Sequence, residues 1–345
     1  MARKRDNPLN LPDRVYPKHG SFYYVHPSGV WENIGKNLEE AKRIGNAYNN
    51  ASGSDSKMPF FLDAFLLACE KRVEKETMAP RTYRDYKKDV VILKLAFGNF
   101  YPSQVKPKHI AEYLDLGVQN DRPVRANREK ACLSACFSWL IRTGQGDITI
   151  NPCIGIRRNK ETPRKRYVEN SEYQTVRTAS AKQVRATMDL VYRTLQRPSD
   201  VIRWTKKNIV SKTDPDGSVT KIIRSVQSKT GAIVDIAITP EIENIFEELQ
   251  VNKLKSQETI IRRNDGRPYT FSGLSSMLKR TLKATKTTSF GLGDLKGKGA
   301  TDMWLAGVPL EQIQVLCGHE SVQTTEIYVK SRWRGTVKPN SVKIK

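Results

Sequence analysis

Residues 316–330 constrain this chain more than any other segment, because they fix where two helices meet and which side chains lie at the junction. Gly318 predicts the end of the first helix, since glycine accepts the left-handed conformation found just past a helix C-terminus. Ser321 predicts the start of the second helix, because its hydroxyl can satisfy amides of the first turn. The corner between them would display His319, with Tyr328 about two turns further on.

The whole string in this segment, LCGHESVQTTEIYVK, has the pattern LxGHxSxxTTxxYxK. It resembles the C-terminal signature of the tyrosine recombinases, the phage integrase family. The resemblance implies that His319 and Tyr328 act on a DNA phosphate. Taken singly, each residue also fits an ordinary helix pair with a capping histidine and a buried tyrosine.

The charge of the chain predicts a polyanionic partner. Among its 345 residues, 59 Lys and Arg stand against 36 Asp and Glu, which gives a formal charge of +23. This excess favours nucleic acid. No apolar run approaches the roughly 18 residues of a spanning helix, so a membrane is not expected as a partner. The N-terminus lacks the apolar segment of a secretory signal, so we expect a cytoplasmic protein. The resemblance implies the cytoplasm of a bacterial host, in association with the nucleoid.

The five cysteines are odd in number and irregularly spaced, which predicts reduced and mostly buried thiols. Cys132 and Cys136 are four residues apart, as on one face of a helix. This spacing also occurs in metal sites, but no second Cys or His pair follows at zinc spacing, and helix core is favoured. We expect no metal and no other cofactor.

Residues 1–57 predict a small β-sheet, one helix and a linker. Three aromatic and β-branched runs between residues 14 and 34 are separated by turn residues, which indicates three strands. Asn37 is a candidate cap for the following helix, and residues 49–57 have the composition of a flexible linker. The segment resembles the arm-binding domain of lambda-type integrases, which implies arm-type DNA binding. Alternatively, its aromatic residues only hold a small core together.

Residues 58–157 have a helical period and predict four helices, the last two near 109–116 and 126–141. The resemblance implies that they form the SAM-like, core-binding domain that grips a DNA duplex. Residues 158–168 form a basic connector. Such a segment is either a solvated tether or, as we favour between two DNA-binding domains, a contact to the phosphate backbone.

Residues 169–345 predict a mixed α/β, mainly helical domain, and the resemblance is strongest over 197–330. It implies the catalytic tyrosine recombinase domain. The predicted fold class is therefore multidomain, with a β-sheet plus helix N-terminal domain, an all-α core-binding domain and a mixed α/β catalytic domain.

The string QRPSD matches the family's first catalytic arginine at Arg197, with Asp200 in the acidic place. A guanidinium suits a scissile phosphate because its planar fork stays charged and donates two parallel hydrogen bonds. Arg193 and Arg203 compete with Arg197 for this role but lack the following Ser-Asp. Alternatively, Arg197 forms a salt bridge with Asp200 that only fixes a helix start.

Alternating runs at 221–227 and 232–238 predict a β-hairpin whose turn contains Lys229. A turn lysine is usually an ordinary surface residue. In the string QSKTG, between Arg197 and His319, it matches the family's mobile catalytic lysine. An ammonium on a flexible stem is suited to deliver a proton.

Residues 291–301 are rich in glycine but fit no nucleotide-binding motif, because Lys296 replaces the third glycine of GxGxxG and the spacing before Gly297 is wrong for a phosphate loop. They align with the family's His-x-Leu-Arg box, with Gly293 at the histidine and Lys296 at the second arginine, and this box is predicted to precede the helix that contains residues 302–305. A lysine keeps the charge but loses the bidentate geometry, so the phosphate clamp is predicted to be weaker or to depend on Lys298 and helix-start amides. Alternatively, Lys296 is part of a solvated glycine loop.

The resemblance implies a site-specific DNA recombinase. The resemblance implies that Tyr328 attacks a phosphate, giving a 3′-phosphotyrosyl enzyme and a free 5′-hydroxyl. Arg197, Lys296 and His319 would neutralise the phosphoryl oxygens, and Lys229 would protonate the leaving 5′-oxygen. Because one phosphodiester replaces another, no ATP is expected. No metal is expected either, since the predicted site lacks the carboxylate cluster that a two-metal nuclease uses.

The expected partners are double-stranded attachment sites of a phage or mobile element, bound by a homotetramer, with a host DNA-bending protein and an excision factor as further candidates. The alternative function is a sequence-specific DNA-binding protein of the same fold whose altered box has abolished strand transfer. A relaxing enzyme of the topoisomerase IB type shares the chemistry but does not need the N-terminal module.

Overall fold

The computed structural model describes residues 7–26, 29–51, 56–162, 166–213 and 215–330, with the side chains of all of these except 47, 50, 51 and 328. The chain divides into two compact units, Met1–Pro163 and Arg164–Lys345. Across the described ranges it is mainly helical, with two small antiparallel sheets, as predicted. Each helix in those ranges is too short or too polar to traverse a lipid bilayer.

The first unit holds a three-stranded sheet, one helix packed on it, and a four-helix bundle. Its elements are β1 (Val15–Lys18), β2 (Ser21–Val25), β3 (Trp31–Gly35), α1 (Leu38–Ala51), α2 (Met58–Glu74), α3 (Pro80–Phe97), α4 (Pro107–Gln119) and α5 (Pro123–Thr143).

Local signals explain these elements. The strands pair in the order β1-β2-β3, and His19 and Gly20 turn the chain between the first two at positive φ. The side chain of Asn37 accepts from the Glu40 amide at 3.0 Å, which confirms the predicted cap of α1. Each bundle helix has a proline in its first turn, where the missing amide costs no helical hydrogen bond. Gly144 ends α5 at φ 66°.

The sheet and the bundle share one hydrophobic core. The rings of Tyr48 and Trp139 lie 6.4 Å apart, and the Gln145 amide lies 3.4 Å from His26 Nδ1. Helix α1 also extends to Ala51, so the helix enters the segment predicted as a linker. The domain boundaries at 57, 157 and 168 remain predictions.

The second unit surrounds a three-stranded sheet with eight described helices. Its elements are α6 (Asn170–Ala179), α7 (Lys182–Thr194), α8 (Pro198–Val201), β4 (Ile209–Thr213), β5 (Val219–Val226), β6 (Ile233–Ala237), α9 (Pro240–Glu248), α10 (Phe271–Ala284), α11 (Leu292–Leu305), α12 (Leu310–Cys317) and α13 (Val322–Lys330). The predicted hairpin is β5 and β6, and β4 adds a third strand on the other side of β5.

The glycine-rich segment 291–301 is a helix and not a loop. Helix α11 begins at Leu292, so the prediction that the box precedes the helix was wrong. Each glycine disfavours a helix by about 1 kcal/mol relative to alanine, so the sequence of this segment does not predict a helix. Gly299 has a packing reason, because a Cβ there would lie 2.1 Å from the Tyr192 carbonyl oxygen. Glycine therefore lets α11 pack closely against α7.

Candidate active site

Arg197 lies at the N-cap of α8, where the chain leaves α7 through Leu195 at φ 53°. Its Nη1 donates to Gln227 Oε1 at 2.6 Å and lies 3.8 Å from Asp200 Oδ2, and the side chain is 27% exposed. The ion pair with Asp200 is long, and the other carboxylate oxygen accepts from the Ser228 amide and hydroxyl at 3.2 and 2.6 Å. Arg197 is thus held by Gln227, and its guanidinium remains partly exposed to solvent.

The competing arginines lie elsewhere. Arg193 is exposed on α7, 3.9 Å from Glu241, and Arg203 is exposed after α8. Among the described residues, the charge of Arg197 lowers the pKa of both Lys296 and His319, whereas neither Arg193 nor Arg203 is a cause of either shift. Arg197 therefore remains the candidate.

Lys296 projects from α11 into the same region and is only 4% exposed. Its Nζ donates to the carbonyl oxygen of Cys317 at 2.9 Å, at the C-terminal end of α12 where the helix dipole is negative. Burial lowers the pKa of Lys296, and the nearby Arg197 cation lowers it further. The alternative of a solvated glycine loop is excluded, since the ammonium is buried beside Arg197.

His319 follows Gly318, which ends α12 at φ 65° as predicted. Its amide donates to the Gln314 carbonyl at 3.1 Å, and its Nδ1 lies 2.9 Å from Thr325 Oγ1 on α13. Burial lowers the pKa of His319 to about 4, and the cations of Lys296 and Arg197 add to this shift. The imidazole is therefore neutral at pH 7 and shares one cationic region with those two side chains.

Tyr328 lies in α13, nine positions after His319. The hydroxyl of Ser321 accepts from the Gln323 amide at 3.2 Å, which confirms the predicted helix start. Position 328 is three residues beyond Thr325, the residue that contacts His319. The side chain of Tyr328 lies outside the described part of the structure.

Lys229 occupies the turn between β5 and β6, and its side chain is exposed. The turn is fixed on both sides of Lys229. Before it, the amide and hydroxyl of Ser228 donate to Asp200, and after it, the Gly231 amide donates to the Gln227 carbonyl at 2.8 Å. Among the described contacts, none joins the Lys229 ammonium to Arg197, Lys296 or His319. The structure thus brings three predicted residues together and places the fourth on an adjacent turn.

Lys298 does not belong to this cluster. It is 1% exposed, and its Nζ lies 3.0 Å from Asp302 Oδ2, 3.1 Å from the Tyr167 hydroxyl and 4.6 Å from the centre of that ring. A phosphate clamp that depends on Lys298 is therefore not what the structure provides. Gly293 is exposed, and a Cβ there would contact nothing within 4 Å, so packing does not demand glycine.

Two residues at the site were not singled out as functional from the sequence. Gln227 bonds to Arg197, and Cys317 offers its carbonyl to Lys296. The string QSKTG contained Gln227, but no spacing rule distinguishes a buried glutamine from a surface one. The carbonyl of Cys317 leaves no signal in a sequence at all.

Residues 165–333 match the phage integrase family. This segment therefore belongs to that family, the tyrosine recombinases. It is 22% identical to the tyrosine recombinase XerC of Lactobacillus leichmannii over 267 residues, which are 74% of this chain and 89% of the relative.

Solved integrase structures have the same fold. A lambda integrase dimer bound to a COC′ core site has a TM-score of 0.69 at 20% identity and covers 99% of this chain and 100% of its own. A lambda integrase tetramer bound to a Holliday junction has the same TM-score and identity and covers 98% and 99%. The Tn1549 transposon integrase in complex with transposon right end DNA has a TM-score of 0.62 at 14% identity and covers 81% and 96%.

Proposed function

We propose that this protein is a site-specific DNA recombinase that cleaves and rejoins DNA through a 3′-phosphotyrosyl intermediate at Tyr328. One observation carries the proposal: Arg197, Lys296 and His319 come from three separate elements and share one cationic region next to the helix of Tyr328. A cluster of this kind suits a phosphate, whose charge it neutralises as the transition state forms.

The contacts support separate roles for the three residues. One Nη of Arg197 is held by Gln227, which leaves the guanidinium oriented toward a phosphate oxygen. Lys296 has three N–H donors, of which the Cys317 carbonyl uses one. His319 is neutral at pH 7 and acts as a hydrogen-bond donor rather than as a cation. Positive charge around the phosphate also favours the ionised form of the attacking Tyr328.

Lys229 completes the reaction in this proposal by protonating the leaving 5′-oxygen. Its side chain is exposed and its turn is held next to Asp200 by Ser228, so bound DNA is within reach of the ammonium from the surface. The phosphotyrosyl bond conserves the energy of the broken phosphodiester, and a free 5′-hydroxyl attacks it to rejoin the strands. The exchange itself consumes no ATP.

The substrate in this proposal is a pair of double-stranded attachment sites of a phage or another mobile element in the bacterial cytoplasm. A homotetramer on DNA is the proposed assembly, supported by the likeness to the lambda integrase tetramer on a Holliday junction. Residues 1–57 are proposed to bind arm-type sites, and 58–157 to grip the core site. A host bending protein and an excision factor are the proposed accessory partners.

A specific observation favours the alternative function, a DNA-binding protein without strand transfer. Lys296 stands where the family has an arginine, and its Nζ is already bound to the Cys317 carbonyl. A point charge held by the protein clamps a phosphate less well than a bidentate fork.

Sequencing of DNA junctions separates the two functions. We expect recombined junctions of the resident element in cells that express the wild-type chain, and none with Tyr328→Phe, which keeps the ring but loses the nucleophilic oxygen. Recombined junctions with both chains would refute the role of Tyr328. Parental junctions only, together with specific DNA binding, would support the alternative.

A further inference from the structure

Gln227 lies at the centre of the candidate site, just past the end of β5, and its side chain is fully buried. Its carbonyl Oε1 accepts from Arg197 Nη1 at 2.6 Å and from Thr230 Oγ1 at 3.1 Å. Its Nε2 donates to Gln196 Oε1 at 2.9 Å and to the Cys317 carbonyl at 2.8 Å. One amide therefore contacts the elements that carry Arg197, Lys229 and His319.

All four hydrogen-bonding positions of this amide are used, two as acceptor and two as donor. The partners also fix its orientation, because Arg197 can only donate and the Cys317 carbonyl can only accept. A buried polar network that is fully satisfied holds its members in one arrangement. Replacement of the amide would leave buried partners unpaired on both sides.

The corner that displays His319 is built around Gln227. A Cβ on Gly318 would lie 2.3 Å from Gln227 Nε2, so glycine is needed there for close approach as well as for its positive φ. The Cys317 carbonyl accepts from both Gln227 and Lys296, at 2.8 and 2.9 Å. The position of Lys296 is thus tied to that of Arg197 through one amide and one carbonyl.

We infer that Gln227 is a positioning residue, which sets the Arg197 guanidinium against the scissile phosphate and locks it to the His319 corner and the Lys229 turn. This inference rests on the proposed recombinase function. Displacement of a reacting group by about 1 Å costs roughly 100-fold in rate, so the loss of this amide is felt at the phosphate without any contact to DNA.

The variant Gln227→Met keeps the length of the side chain and removes all four hydrogen bonds. In single-turnover cleavage of a nicked duplex at saturating enzyme, we expect a rate about 100-fold below wild type, with DNA affinity changed less than about threefold. Ser225→Ala is the matched control. Ser225 is equally buried two residues earlier on β5, but its hydroxyl accepts from Trp204 Nε1 at 3.2 Å, and among the described hydrogen bonds none joins it to a site residue. Its cleavage rate should stay near wild type.

Two modified substrates distinguish positioning from general damage to the fold. A methylphosphonate at the scissile position lacks one charged oxygen, so cleavage depends less on an arginine that neutralises this charge. A 5′-bridging sulfur leaves without being protonated, so cleavage depends less on Lys229 as the proton donor. We expect the methylphosphonate to shrink the defects of Gln227→Met and Arg197→Ala to about tenfold or less, while the sulfur substrate restores only Lys229→Ala.

The outcomes are decisive in each direction. A Gln227→Met rate within about threefold of wild type, or an equal defect on all three substrates, would overturn the inference while the proposed function stands. Rescue by the sulfur substrate would also overturn it, since the residue would then act through Lys229. A wild-type chain that cleaves no matched site would overturn the proposed function and this inference together. If Gln227→Met does not fold, Gln227→Glu provides the same test, because its carboxylate keeps the acceptor but competes with the phosphate for Arg197.

Discussion

Helix α11 places two lysines, two residues apart, into environments of opposite character. On the site side, Lys296 bonds to a carbonyl oxygen and lies beside the Arg197 cation. On the other side, Lys298 lies 3.0 Å from the Asp302 carboxylate, bonds to Asn170 and is within 6.0 Å of the ring centres of Tyr167, Tyr173 and Tyr192, whose negative faces stabilise a cation. Both lysines are buried, so burial alone does not distinguish them.

The difference lies in how each charge is balanced. Lys298 is paired within the protein, and its role is to hold α11 against α6, α7 and Tyr167. Lys296 has the Cys317 carbonyl dipole as its hydrogen-bond partner, while Asp200, whose charge also acts on Lys296, is hydrogen-bonded to Ser228 and pairs with Arg197. Two cations, Arg197 and Lys296, therefore share the single negative charge of Asp200, and such a region gains stability from a bound anion. In the proposed function, the site side of α11 is therefore the side that faces the phosphate.

The largest effect should come from Lys296→Ala. Loss of this donor to the transition state should slow cleavage about 100-fold or more, with little change in DNA binding. Lys296→Arg should be tolerated or faster, because a bidentate fork replaces a point charge. Single-turnover cleavage measures both. A near-normal rate for Lys296→Ala would remove the contrast between the two lysines.

Lys298→Met should act on stability and not on chemistry. It leaves Asp302 without its cation, and breaking such a pair costs about 3 kcal/mol, equivalent to a fall in Tm of about 6–12 °C. The cleavage rate per folded molecule should stay within about threefold of wild type. Thermal unfolding and active-site titration test this. A stable variant with a severe loss of cleavage would move the catalytic role from Lys296 to Lys298.

A smaller effect concerns pH. Burial and the cations of Lys296 and Arg197 lower the pKa of His319 to about 4, below its ordinary value of 6.5. Between these values the unfolded chain binds more protons than the folded one, so stability falls as the pH drops from about 6.5 toward about 4. His319→Gln should show a shallower fall in Tm between pH 7.5 and 5. Identical slopes for both proteins would mean that neither burial nor the neighbouring cations lower the pKa of His319 in the folded protein.

The smallest effect should come from Gly293→His, on the site side of α11. The position is exposed, helical and sterically open. Replacement of a helical glycine should raise stability by about 0.5 kcal/mol, and cleavage should be equal or faster because the family's residue is restored. Thermal unfolding and cleavage rates measure the change. A loss of stability would show that glycine is required here.

The sequence predicted the features that depend on local chemistry. Gly318 and Ser321 marked the corner, Asn37 marked a helix start, and alternation marked the β5–β6 hairpin, and all are confirmed. The sequence did not predict α11. Glycine is required at position 299 because of a carbonyl oxygen of α7, which is distant along the chain. The roles of Lys296, Lys298 and Gln227 likewise depend on which elements pack around them, and neighbours in space leave no spacing signal.

The most direct test of the proposed chemistry is to trap the enzyme on a nicked duplex that carries a matched core site, and to identify the modified residue by peptide mapping. We expect the DNA to be joined through its 3′-phosphate to Tyr328, and no adduct with Tyr328→Phe. An adduct that persists in Tyr328→Phe, or one mapped to another residue such as Tyr269, would contradict the account.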